Sequence, residues 1–148
     1  MSFYNIAMGI LIDANPSARE LVTEILDQAR WWSALRIVVQ FLHSRNVDQV
    51  RVEFGFVLDR DLQGEPTAQD QIVQLRDLES FVTKSLAEGK IRWGRSDCFF
   101  YSLGADVAFM LCNDADLHFA SADLPMLSEL AHEISSAGIK VYDSGQVI

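Results

Sequence analysis

The sequence predicts an α+β fold, a mostly antiparallel sheet of about five strands covered by about four helices. Three observations carry that prediction. Residues 49–58 alternate with period two: Val50, Val52, Phe54, Phe56 and Leu58 face one way, and Arg51, Glu53 and Gly55 face the other. Residues 97–119 read as two apolar strands joined by a tight turn, with a third short strand after an acidic loop. Helical spacing comes as a pair early in the chain and strands cluster later, an order unlike that of an alternating doubly wound fold.

Taken in order, residues 3–12 are apolar with Gly9 inside and suit a strand or a helix equally. Asn15, Pro16, Ser17 and Glu20 spell a helix start, with a capping residue and proline in the first turn. A helix over 17–30 would then place Leu21, Val22, Ile25, Leu26 and Ala29 on one stripe. Trp31 and Trp32 mark its end or a bend, and a second helix over 33–45 carries Leu35, Val38, Val39 and Leu42. Residues 59–67 are a polar loop containing Gly64 and Pro66. Helical spacing returns over 68–88 through Ile72, Leu75, Phe81, Val82 and Leu86, and Gly89 is a suitable stop. A short strand is expected at 90–93. Phe99, Phe100 and Tyr101 fill the next strand, Gly104 turns the chain, and the apolar run 105–112 returns. Residues 121–123 offer caps for a helix bearing Leu124, Leu127, Leu130, Ala131 and Ile134, which Gly138 ends. Residues 139–142 read as a last strand, and 143–145 as a turn.

The chain has 148 residues, enough for one domain spanning 1–148, and shows no internal repeat or proline- and glycine-rich linker. Cys98 and Cys112 lie in apolar runs and are expected as reduced core thiols. The first residues lack a basic leader, and no apolar run reaches the length of a membrane span. A soluble cytoplasmic protein is the expectation. A net charge of −9 disfavours nucleic acid and anionic membrane surfaces as partners.

The recognisable catalytic patterns are missing: the sequence has no nucleophile elbow, phosphate-binding glycine loop, dinucleotide fingerprint or calcium loop. A non-enzymatic protein without a cofactor is therefore expected. His43 sits at a helix end and His132 on a polar helix side beside Glu129 and Glu133. His118 is the exception, because Asp114, Asp116 and His118 share one face if the segment is extended. Two carboxylates and an imidazole suit a divalent metal, so a metal-dependent enzyme or ligand-binding domain is the alternative reading. A plain acidic turn entering a strand explains the same run.

Charge is the most informative pattern. Between Ser96 and Ile139 there is no Lys or Arg, while Asp97, Asp106, Asp114, Asp116, Asp123, Glu129 and Glu133 supply seven negatives. The rest of the chain is nearly balanced, with fourteen acids against twelve bases. A single-sign segment attracts basic partners, although solubility alone also accounts for it. The expected contact set is Asp114, Asp116, Asp123, Glu129 and Glu133, with Trp93 as an apolar anchor. The early helices, if unpartnered, would instead suit a homodimer.

The C-terminal third, DADLHF followed by LSELAHEISSAGIKVYDSG, resembles small acidic bacterial immunity proteins encoded beside polymorphic toxins. The resemblance implies a stoichiometric inhibitor that masks a cognate toxin with a basic active-site cleft.

Overall fold

The computed structural model describes residues 18–57, 60–61, 70–112 and 114–143. In chain order the elements are β1 (Arg19–Thr23), α1 (Gln28–Ser44), β2 (Gln49–Val57), β3 (Arg60–Asp61), β4 (Gln71–Gln74), α2 (Leu78–Ala87), β5 (Ser96–Leu103), β6 (Ala108–Leu111), β7 (Leu117–Ser121), α3 (Leu124–Ser136) and β8 (Val141–Asp143). A 3-10 turn, Leu75–Asp77, leads into α2. The α+β class and antiparallel sheet agree with expectation, but the described residues hold eight strands rather than about five, and three helices rather than about four.

Seven strands follow one another in the order β3-β2-β5-β6-β7-β1-β8, and β4 also pairs with β2. Every pairing is antiparallel. The centre is the predicted 97–119 stretch: Phe100 opposes Phe109, and their rings stack 4.6 Å apart. Gly104 turns the β5–β6 hairpin with a φ of 102°, a conformation other residues adopt only with strain.

Alternation gives the sheet two unlike faces. Val50, Val52, Phe54, Cys98, Phe100, Phe109, Leu111, Leu117 and Phe119 form the first, and all three helices cover it. From α1 come Trp31, Leu35, Val38 and Leu42, from α2 Leu78 and Val82, and from α3 Leu127, Leu130 and Ile134. Phe99, Tyr101, Ala108, Met110, Cys112 and Ala120 form a separate cluster on the second face, to which no described helix contributes. Cys98 and Cys112 are thus buried on opposite faces and form no disulfide.

Three local expectations are corrected. Residues 19–23 are strand, not helix. They close the open edge of β7, with Leu21 opposite Phe119, and then receive β8. The helix starts later, at Asp27, whose carboxylate accepts from Arg30 N at 2.8 Å, so Trp31 and Trp32 lie inside its first turns. Within 68–88, residues 71–74 pair with β2 and leave Ile72 exposed, and the helix proper begins at Leu78. Residues 90–93 form bends and a turn rather than a strand. The expected helix over 33–45 is present as the later part of α1, the strand expected at 49–58 is present over its described residues with a register shift after Phe54, and the helix ends at Gly89 and Gly138 are present. Residues 3–12, the 15–17 cap, most of the 59–67 loop and residues 144–145 lie outside the described residues.

No described helix is long and apolar enough to cross a membrane. The apolar stripe of α1 is covered within the chain: Trp31, Ala34, Leu35, Val38, Phe41 and Leu42 are all buried.

Candidate functional site

The turn from β6 to β7 carries the densest group of reactive side chains. Two hydrogen bonds close it, from Cys112 N to the Asp116 carbonyl and from Ala115 N to the Cys112 carbonyl, both 3.1 Å. Ala115 takes a φ of 64°, uncommon for a residue with a Cβ. Leu26 N donates to its carbonyl at 2.9 Å and ties the turn to the segment before α1.

Register decides what meets here. Glu20 pairs with Ala120 and Val22 with His118, so Glu20 and His118 share the second face. Glu20 Oε1 lies 2.5 Å from His118 Nδ1. On the other side of the ring, Asp116 Oδ1 lies 3.0 Å from Nε2. That oxygen is buried yet has no well-aligned hydrogen bond, so it sits off the axis of the ring N–H. Cys112 Sγ, an Asp116 oxygen and a His118 nitrogen lie within 4.8 Å of one another. Asp114 N donates to Cys112 Sγ at 3.5 Å, and the thiol faces Asp114 Oδ2 at 4.0 Å.

Electrostatics follow from this packing. Burial alone would lower the His118 pKa, but the polar contacts of its ring with Asp116, Cys112 and Glu20 outweigh it and raise the value from 6.5 to about 11. The ring is an imidazolium at neutral pH, held between two carboxylates. Burial likewise raises the Cys112 thiol to about 11, with His118 opposing and Asp116 adding to the shift. Both shifts favour the protonated ring and thiol in this cluster near neutral pH.

The predicted set Asp114, Asp116 and His118 is therefore brought together only in part. Asp116 and His118 are in contact, but the third group within reach of both is Cys112, while Asp114 stands exposed at the rim. Sequence reasoning missed Cys112, read as a plain core thiol, and Glu20, read as a polar helix position. Cys112 joins Asp116 and His118 because the hairpin sets it opposite Asp116, one step beyond the Leu111–Leu117 pair, so the signal lay in the tight turn between two apolar runs rather than in a spacing of two.

The acidic contact set is dispersed. Asp116 is occupied by His118. Asp123 lies at the other end of β7, where its carboxylate caps α3 by accepting from Met126 N at 3.1 Å. Asp106 sits at that same end, accepting from Ala122 N at 3.0 Å. Glu129 pairs with Arg45, and Glu133 is exposed on α3. Asp97 is buried. His43 and His132 are exposed on their helices.

Trp93 is better placed. A Cβ on Gly94 would stand 3.6 Å from Ala115 Cβ, so the Trp93–Gly94 turn abuts the β6–β7 turn. Ile25, 71% exposed, precedes the Leu26 amide bonded to Ala115. Trp93, Ile25 and Asp114 are thus presented from three segments that meet at Ala115. Asp27 follows close by, and Arg92 and Arg95 flank Trp93. A half-open depression of about 510 Å3 lies elsewhere, at the far end of α1, lined by His43, Asp48, Gln74 and Arg76 among others. No protein-family model matches this chain, and no curated protein or solved structure matches it either.

Proposed function

We propose that this chain is a binding protein that occludes a basic protein partner, in the manner of a bacterial immunity protein acting on its cognate toxin, without making or breaking a bond. One observation supports this reading above the others. Exposed Trp93, Ile25 and Asp114 are carried on three segments that meet at Ala115. An aromatic and aliphatic anchor with an acid at its edge is the composition of an interface centre. Arg92 and Arg95 make the rim mixed in sign, which favours one docking register over non-specific attraction. The partner surface is reduced to this end of the sheet, with Glu133 of α3 as an outlying contact. Asp123 and Glu129 have intramolecular roles and are peripheral to it.

The test is coexpression with the product of the adjacent reading frame, followed by calorimetric titration of the purified pair. A one-to-one complex is expected. Trp93→Ala should weaken it by about 2 kcal/mol, the scale of an anchor residue. Asp114→Lys should act mainly on the association rate, with an effect that shrinks as salt rises. A complex that tolerates both changes removes this surface, and the absence of any complex removes the reading.

A further inference from the structure

We infer that Cys112, Asp116 and His118 form a binding site for one divalent transition-metal ion of the zinc type, with Asp114 or a water molecule completing a tetrahedron. Their donor atoms already lie within 4.8 Å of one another. Zinc bonds of about 2.0–2.3 Å separate tetrahedral ligands by roughly 3.4–3.7 Å. Only small side-chain rotations are needed to reach that arrangement. A sulfur, a nitrogen and a carboxylate oxygen suit zinc, cobalt and nickel rather than magnesium or calcium, which take oxygen ligands.

The surroundings fit a ligand set in detail. Asp116 Oδ1 lies 3.0 Å from His118 Nε2, so two of the three donors are already side by side. Glu20 Oε1 lies 2.5 Å from Nδ1, the place of the second carboxylate that orients a metal-binding imidazole. The Asp114 amide donates to Cys112 Sγ at 3.5 Å, a contact that favours thiolate. Cys112 and His118 are almost wholly buried, whereas Asp114 is exposed at the mouth, which gives an ion a short route in.

No redox step is involved. This inference is separate from the partner surface and needs no partner for its test.

The experiment uses the full chain, stripped with a chelator and titrated with Zn²⁺ by calorimetry and with Co²⁺ by absorbance. One equivalent should bind, with proton release as the thiol becomes a thiolate ligand. Cobalt should show thiolate charge-transfer bands and the visible bands of a tetrahedral centre. Cys112→Ser should abolish the charge-transfer bands and lower zinc affinity at least about 100-fold, and Glu20→Gln should lower it about 10- to 100-fold. Absence of binding by a chain whose near-ultraviolet circular dichroism shows it folded would overturn the inference. So would cobalt binding that leaves no thiolate signature or that survives Cys112→Ser unchanged. The cluster would then be a structural ion triad.

Discussion

The two faces of the sheet are built on different physics. The first presents apolar side chains to three helices, and its contacts are non-directional. The second buries Phe99, Tyr101 and Met110 among charged groups: Arg51 lies over the Tyr101 ring at 4.2 Å and reaches Glu53 and Asp70, and His118 lies between Glu20 and Asp116. Arg51 contributes at least in part through its packing on the ring, because its ion pairs are solvent-accessible and weak. The difference shows where this chain concentrates its chemistry. A face sealed by hydrocarbon specifies the fold, whereas one with paired charges is sensitive to protons and ions.

The sharpest break would come from deleting one element of each face. Phe100→Ala, on the first face, removes a ring stacked on Phe109 and should cost about 3–5 kcal/mol in denaturant unfolding. His118→Gln, on the second, strands two carboxylates and should cost about 3 kcal/mol. A loss well under 1 kcal/mol would mean that the triad is solvated and the faces are not distinct in this sense.

Acidity separates the faces more cleanly than size of effect. The His118 pKa is raised from 6.5 to about 11 on folding, so the folded state holds its proton more tightly. Its stabilisation is complete below about pH 6.5 and is lost as pH rises toward 11. Cys112, raised from 9.0 to about 11, acts with the same sign above pH 9. Metal-free protein should therefore lose stability steadily between pH 7 and 10. His118→Gln should flatten that slope, while Phe100→Ala should lower stability by a constant amount at every pH. Parallel slopes for all three proteins would contradict the assignment of the proton to His118.

Smaller changes sharpen the contrast between acids that fold the chain and acids left for a partner. Asp123→Ala removes the α3 cap and should cost about 1 kcal/mol by thermal unfolding. Asp114→Asn should change stability by less than about 0.5 kcal/mol, since the side chain is exposed. A larger loss at Asp114 would place it among the structural acids.

Much of this architecture was legible because the signals are local. The alternation of 49–54, the apolar pair of strands around Gly104, and the caps at 121–123 followed by Leu127, Leu130 and Ile134 each report on a neighbourhood of a few residues, although the register of β2 shifts after Phe54 and Leu124 is exposed. The misreadings share a cause. Leu21, Val22 and Ile25 fit a helical stripe and a strand alike, and β1 forms because β7 and β8 both need a neighbour there. Ile72 looked like a helix position until β4 paired with β2. The His118 site was half visible. Spacing by two linked Asp116 to His118, but the Glu20 contact spans 98 residues of sequence and depends on the register of β1 against β7.

Periodicity and composition, being properties of short windows, were enough to specify the class of fold, the faces of β2, β5 and β6, and the acidic bias of the second half. Which acids stay outside, which become caps, and which carboxylates clasp His118 were decided only by tertiary structure. Pairing between distant strands sets those distances, and a shift of one residue in register would have turned Glu20 to the opposite face.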